Sequence, residues 1–314
     1  MDLTIVIPVY NEIKNLKSLF VMLNQQQSSN VHIIFVDDCS IDGSTNKLKE
    51  FVLANEHCSL ICNKSNLGIM KSCLVGLKKV KTELVFFLSA NDKIDPNFCA
   101  ENIIAHRECP DAGFSFCIVA IENQFSKKHS KLHSAPFHET GYVSAQDYTK
   151  FIRTTHFNIP SNSIVYKYKY LSFLNDGINK YGLYADWFIS QRVALEYGFF
   201  YIQKKLATFV LHKGAYSLSG RHHYLEKNKY ISTILDDVSD QPALKKIFVN
   251  AALFPENKFR FLLPILFDKH KRWLFWPVTQ KALASFIWRW MMLNRLPNNI
   301  KNILRRSYHR FMSR

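Results

Sequence analysis

The chain has 314 residues, 47% hydrophobic and 21% charged, a balance that builds a packed core and excludes a disordered segment. Its formal charge of +16 is uneven: residues 258–314 hold 13 Lys or Arg against one acid, Asp268, so +12 sits there and +4 on the first 257 residues. A basic tail on a near-neutral body points to a polyanionic surface as partner, anionic lipid or nucleic acid.

In chain order, Leu3 to Pro8 is a short apolar run that ends in the turn Tyr10-Asn11-Glu12. Lys14 to Leu23 carries Leu16, Leu19, Phe20 and Leu23 at helical spacing. Val31 to Val36 is a second apolar run, closed by Asp37-Asp38-Cys39-Ser40, and Ser44 to Ala54 has helical periodicity. Ser59 to Cys62 reads as a strand, Gly68 to Val80 as a helix, and Leu84 to Leu88 as a further buried strand before Ser89-Ala90-Asn91-Asp92. Alternating apolar strands and helices predict an α/β domain with a mostly parallel, Rossmann-like sheet, in which ligands sit beyond the carboxyl ends of the strands. All of these polar clusters fall at such ends.

Past Asp95-Pro96 the alternation loosens. Gly113 to Ile121 reads as a strand, Glu122 to Gly141 as a polar loop, Asp186 to Tyr197 as a helix, and Phe199 to Leu211 as one or two strands. From about Ser217 the pattern is helical and increasingly basic, so a catalytic domain over 1–216 (1–120 for the donor, 121–216 for the acceptor) and an extension over 217–314 are expected. The seven cysteines are scattered, with no second Cys/His pair at zinc spacing after Cys58 and Cys62, and read as reduced structural thiols. No apolar stretch of about 18 uncharged residues occurs, so no transmembrane helix is expected. Met1-Asp2-Leu3-Thr4 reads as the start of a strand, not of a signal peptide, and a cytoplasmic location follows.

A Pro-x-Tyr-Asn-Glu turn at a helix N-terminus suits a stacked base and nearby phosphates. Asp37-Asp38 offers carboxylates to a base imide or a ribose hydroxyl. Asn66-Leu67-Gly68 lets backbone approach a ligand closely, and Asp92 is placed for a divalent cation. Each cluster alone is weak, and acids at strand ends also simply cap the next helix, as Asp42 with Gly43-Ser44 does on one reading.

Taken in order, Thr4-Ile5-Val6-Ile7-Pro8-Val9-Tyr10-Asn11-Glu12, Val36-Asp37-Asp38-Cys39-Ser40-Ile41-Asp42-Gly43-Ser44, Asn66-Leu67-Gly68 and Phe87-Leu88-Ser89-Ala90-Asn91-Asp92-Lys93-Ile94-Asp95-Pro96 resemble the family 2 glycosyltransferases. The likeness covers residues 1 to 120 and continues faintly through Ala185-Asp186-Trp187-Phe188. It implies a GT-A fold, a nucleotide-sugar donor, inversion at the anomeric carbon, and Mn²⁺ or Mg²⁺ as cofactor. By it, Pro8, Tyr10 and Glu12 line the nucleotide pocket, Asp37 and Asp38 read base and ribose, and Asn66 and Gly68 border it. Asn91 and Asp92 meet the donor, Asp92 holds the metal, and Asp186 is the general base.

Three positions depart from the family's pattern. Ser89-Ala90-Asn91-Asp92 keeps only the last carboxylate of the usual acidic triplet. Cys73 stands where many relatives have Arg, so Lys71 is the candidate phosphate contact. Ala185 replaces the acid that usually precedes Asp186, whose neighbours Tyr184, Trp187 and Phe188 would raise its pKa by desolvation. Leu211-His212-Lys213-Gly214 reads as a surface loop or as a segment closing over the diphosphate.

The tail interleaves Lys and Arg with Phe259, Phe261, Ile265, Trp273, Leu274, Phe275, Trp276, Phe286, Trp288 and Trp290. Such a pattern describes a helix lying in an anionic headgroup layer, or aromatics packed on a core with solvated charges around them. No nucleic-acid motif is present. The expected enzyme works at the inner face of the cytoplasmic membrane. It passes a sugar, from a UDP-sugar by preference, to a lipid-linked glycan acceptor in surface polysaccharide synthesis. The alternatives are a transferase with a soluble or protein-linked acceptor and a catalytically degenerate GT-A scaffold with a membrane- or partner-binding tail.

Overall fold

The computed structural model describes residues 2–26, 30–123, 131–132, 137–155, 157–176, 178–211, 224–255, 265–281 and 283. The chain divides into two compact units, Met1–Ser144 with Ile159–His222, and Ala145–Asn158 with His223–Arg314.

The first unit is built on a ten-stranded sheet. Strand β1 (Leu3–Val9) pairs in parallel with β2 (Val31–Asp37) on one side and β4 (Leu84–Phe87) on the other, and β2 pairs in parallel with β3 (Cys58–Cys62). Leu3, Ile5, Val6, Ile7, Phe35, Val36, Val85 and Phe86 are all fully buried. An unbroken apolar run is what a strand covered on both faces requires, and the sequence shows it.

Helices α1 (Ile13–Asn24), α2 (Ser44–Leu53) and α3 (Ile69–Leu77) make the crossovers. Gly76 sets how closely α3 lies on the sheet, because a Cβ there would stand 2.4 Å from Val6 Cγ1 and 3.1 Å from Val36 Cγ2. Valine cannot swing such a methyl away. Gly76→Ala is therefore expected to lower stability by about 1–3 kcal/mol despite alanine's better helix propensity, read as a fall in the urea midpoint.

Beyond β4 the sheet becomes mixed. Strand β9 (Val165–Lys167) runs antiparallel to both β4 and β6 (Phe114–Asn123), and β10 (Phe199–Leu211) pairs in parallel with β6. The short strands β5 (Lys93–Ile94), β7 (Lys131–Leu132) and β8 (Gly141–Val143) add antiparallel edges. The polar stretch 122–141 thus carries β7 and the start of β8 as well as the end of β6. Phe199 to Leu211 is one strand, with irregular register between Ile202 and Ala207 where Gln203, Lys204 and Lys205 turn to solvent. Helix α4 (Phe98–Glu108) and a 3₁₀ turn (Ser161–Ser163) flank this half. A run of 3₁₀ turns (Tyr168–Asp176, Ile178–Tyr184) then leads into α6 (Ala185–Tyr197).

The second unit holds α5 (Ala145–Thr154), α7 (Tyr224–Ser239), α8 (Pro242–Ala251) and helical residues 275–281 and 283. Residues 145–158 were expected on the acceptor side of the first domain. They join the second unit because Tyr148 and Ile152, on the buried face of α5, pack with α8. Among the described tail residues, Ile265, Leu274, Phe275 and Val278 are core, and Trp273 donates from Nε1 to Ser239 Oγ at 3.0 Å. These aromatics therefore take the packed arrangement, whereas Trp276 is 66% exposed. Phe259, Phe261, Phe286, Trp288 and Trp290 lie outside the described residues. No described helix is long and apolar enough to cross a membrane.

Candidate active site

Parallel pairing brings the ends of β1, β2, β3 and β4 to one edge of the sheet, so four sequence clusters meet there. The first two are tied to each other. Asn11 N donates to Ser40 Oγ at 3.0 Å, and Ile41 N donates back to Asn11 Oδ1 at 2.9 Å. Glu12 N donates to Ser44 Oγ and Ile13 N to Asp42 Oδ2, both at 3.0 Å. Asn11 and Cys39 take positive φ of 55° and 66°, a strain that the paired loops hold in place.

One consequence corrects a sequence expectation. At the N-terminus of α1 the Glu12 and Ile13 amides are already taken by Ser44 and Asp42, so the entry to this helix is committed to the neighbouring loop and not to a phosphate. Helix α3 has no side-chain cap and begins directly after Gly68, where φ is 84° and the space a Cβ would fill is open. Its first turn, with exposed Lys71, is the anion-ready helix end of this edge.

Asp38 fixes that helix end. Its Oδ1 accepts from Leu67 N and Asn63 Nδ2, and its Oδ2 from Gly68 N, each at 2.8 Å. Asn66 Oδ1 accepts a second bond from Gly68 N at 3.0 Å. Burial alone would raise the Asp38 pKa, but the bonds from Leu67, Asn63, Gly68 and Ser72 outweigh it and hold the carboxyl below its ordinary value. With both its oxygens bonded within the protein, Asp38 shapes the pocket. The free acceptor is its neighbour: Asp37 is 2% exposed, Oδ2 accepts from Thr45 Oγ1 at 2.8 Å, and Oδ1 is buried with no hydrogen bond. Tyr10 stands 46% exposed, Pro8 is half-buried, and Glu12 accepts from Asn15 Nδ2 at 2.5 Å.

Asp92 is also placed differently from expectation. It is 4% exposed, and its Oδ1 accepts from Val210 N at 2.9 Å. Asn91 Nδ2 donates to Val210 O at 3.1 Å, so the two side chains clasp the end of β10. Burial pushes the Asp92 carboxyl up to about 7, against the Val210 bond and the nearby Asn162 side chain. Among the described residues no group of three His, Cys, Asp or Glu converges on a point. A single, half-committed carboxylate beside an amide does not fit a protein-held Mn²⁺ or Mg²⁺. His212 lies outside the described residues.

Asp186 opens α6 with no acidic neighbour in its first turn. Its side chain is open to solvent, with the body of the protein close enough to desolvate it in part. Desolvation raises its pKa, and a hydrogen bond from Ser161 pulls it part of the way back. Its chain neighbours Phe188 and Tyr184 are buried, and Trp187 is half-buried. Cys73 on α3 and Tyr166 on β9 both feel its charge, which adds to the desolvation that raises their own pKa values.

Sequence reasoning missed the 3₁₀ turn Ser161–Ser163. Ser161 reaches Asp186, and the next residue, Asn162, lies against Asp92 with a buried Nδ2 that has no hydrogen bond. One turn thus spans both carboxylates. The sequence Ile159-Pro160-Ser161-Asn162-Ser163 carries no periodic or charged signal that would single it out.

The family model for Glycosyl transferase family 2 matches residues 4–170, more than half the chain, and the chain belongs to that family. Among curated relatives, an uncharacterized glycosyltransferase of Haemophilus influenzae is 31% identical over 118 residues, 36% of this chain and 37% of its own length. Glycosyltransferase GlyA of Streptococcus pneumoniae is 22% identical over 250 residues, 77% of this chain and 34% of its own. The chain thus spans about a third of the length of these relatives. In fold it is similar to S. aureus TarS 1-349 in complex with UDP-GlcNAc, with a TM-score of 0.63 at 17% identity over 99% of this chain and 88% of that one. A mannosyltransferase from Pyrobaculum calidifontis, in complex with GDP-Man and Mn²⁺, gives 0.52 at 12% identity over 99% and 85%. The fold is the GT-A, Rossmann-like α/β fold of nucleotide-sugar glycosyltransferases.

Proposed function

We propose that the chain transfers a sugar, with inversion, from a UDP-sugar to a hydroxyl of a lipid-linked glycan acceptor in surface polysaccharide synthesis. The observation that carries this reading is the pair of carboxylates, Asp92 and Asp186, reached by consecutive residues of one turn. Asp186 has the solvent access and raised pKa of a general base. It accepts the acceptor's proton as the acceptor oxygen bonds the anomeric carbon. The bond from that carbon to the phosphate oxygen breaks, and its electron pair leaves with the diphosphate. The open first turn of α3 and Lys71 face this growing charge with amide dipoles and an ammonium. Asp37 Oδ1, an unfilled acceptor, suits the N–H of a uracil imide or a ribose hydroxyl.

The UDP preference draws support from the UDP-GlcNAc complex of the similar TarS fold. The loss of acids at Ser89, Asn91 and Ala185 favours a second reading, a scaffold that has lost catalysis. Thermal unfolding with UDP-, GDP- and dTDP-sugars, each with and without Mn²⁺, separates the readings. A UDP-sugar at about a hundred times its Kd should add about 2.7 kcal/mol, a shift of several degrees. A gain that needs Mn²⁺ would restore the cation as a donor-borne partner. No shift with any donor sinks the transferase.

A further inference from the structure

We infer that the second unit carries a binding face for an acidic phospholipid bilayer, centred on Trp276 and Leu283. Helical residues 275–281 and 283 are two-sided. Phe275, Val278 and Lys281 are buried, while Trp276, Gln280 and Leu283 recur at steps of four and three residues and are exposed. Trp276 is 66% and Leu283 60% exposed, and the preceding segment adds Phe267 at 80%. Single exposed apolar side chains are ordinary, as Ile41 at 86% and Leu53 at 88% show, but here Trp276 and Leu283 share one helix face within the same stretch as Phe267.

Charge selects the occupant. Lys269 and Arg272 are exposed within the same short stretch as Phe267 and Trp276. The one acid of residues 258–314, Asp268, is engaged by Lys271, which also pairs with Asp236 at 2.8 Å. The free charge of this stretch is therefore positive, and residues 258–314 carry +12 as a whole. A protein partner's apolar patch would meet Trp276 and Leu283 but leave this excess unanswered, whereas a bilayer of acidic lipid answers both. Tryptophan suits the boundary itself, with its ring among acyl chains and its N–H among headgroups. Lys281 takes no part: its amine is buried and donates to Ile152 O at 2.5 Å.

The inference does not depend on sugar transfer and is tested without it. Full-length protein is floated with vesicles of phosphatidylcholine alone or with about 30 mol % phosphatidylglycerol, at low and high salt. Binding is expected to the acidic vesicles only, weakened but not abolished by salt. Arg272→Glu should weaken it about tenfold. Trp276→Ser with Leu283→Ser should remove the salt-resistant part, with an unchanged melting temperature because these side chains are exposed. Full-length protein that ignores acidic vesicles overturns the proposal, as does binding that both variants leave unchanged. Retention on single-stranded DNA with no flotation would assign the charge to nucleic acid and overturn it as well.

Discussion

Asp186→Asn is expected to transfer sugar about 100- to 10,000-fold more slowly than the parent while binding the donor as well. The amide fills the same space and can still bond Ser161, but it cannot take a proton. Stability moves the other way. Because the folded-state pKa of Asp186 is raised, the folded protein holds a proton there more tightly than the unfolded chain does. The ionised group therefore costs stability at neutral pH, and that cost is relieved as pH falls through the folded value. The variant should melt no lower than the parent. In the parent, the acid limb of kcat/KM should lie above the ordinary carboxylate range near ~3.9. Transfer by the variant at the parent rate would remove Asp186 from the role. Glu196, the next acid on the same helix, is already paired with Arg192 at 3.1 Å.

Asp38→Asn should cost both folding and donor affinity. Asparagine would turn an amide N–H₂ toward either Gly68 N or the pair Leu67 N and Asn63 Nδ2, donor against donor. Hydrogen bonds to a charged group contribute about 1.5–3 kcal/mol each, and a buried donor left empty costs about as much. A loss of about 2–4 kcal/mol in unfolding free energy is expected, with the α3 N-terminus no longer held toward the donor. Donor affinity by calorimetry should fall at least ~100-fold. The pH sign is opposite to that of Asp186. The Asp38 pKa is lowered on folding, so its stabilisation is present above the unfolded value and is lost as pH falls through the folded one. Unfolding midpoints below about pH 4 should depend less on pH in the variant than in the parent. A variant with native stability and native donor affinity would mean that the loop 63–68 holds its shape without Asp38.

What the sequence revealed, and what it hid, follows from how far each cause reaches along the chain. Leu3–Val9 and Val31–Asp37 are legible because strands buried on both faces need near-continuous apolar runs, here Ile5 to Val9 and Ile33 to Val36. Helix α4 is not, because Asn102 and His106 interrupt its apolar pattern and yet are buried. Asn102 accepts from Ser115 at 2.6 Å, and His106 bonds Val165 O at 3.0 Å. Burial pushes the His106 pKa down to about 4, so the ring is neutral and donates from Nε2. Only the folded neighbours make such residues acceptable in a core. The same limit applies to the site. Asp38 and Asp186 stand in recognisable motifs, but the commitment of Asp92 to Val210 spans 118 positions, and no local pattern announces it. Ser161 lies 25 residues before Asp186 in a stretch without periodicity, so its contact with the carboxylate is tertiary.

The bond from Lys281 to Ile152 spans 129 positions, and it closes a unit whose first helix, α5, is interrupted in the chain by a return to the first unit. During synthesis α5 leaves the ribosome long before α7, α8 and the helix that carries Lys281. Until α8 arrives, the buried face of α5, with Tyr148 and Ile152, lacks the helix it packs on. At about 5–20 residues per second the wait lasts several seconds or more, far longer than a helix takes to form. The second unit is therefore the last to become resistant to protease on a translating ribosome. A stalled or shortened chain that ends before α8 leaves the apolar face of the amphipathic α5 uncovered, the kind of segment that chaperones hold and aggregates recruit.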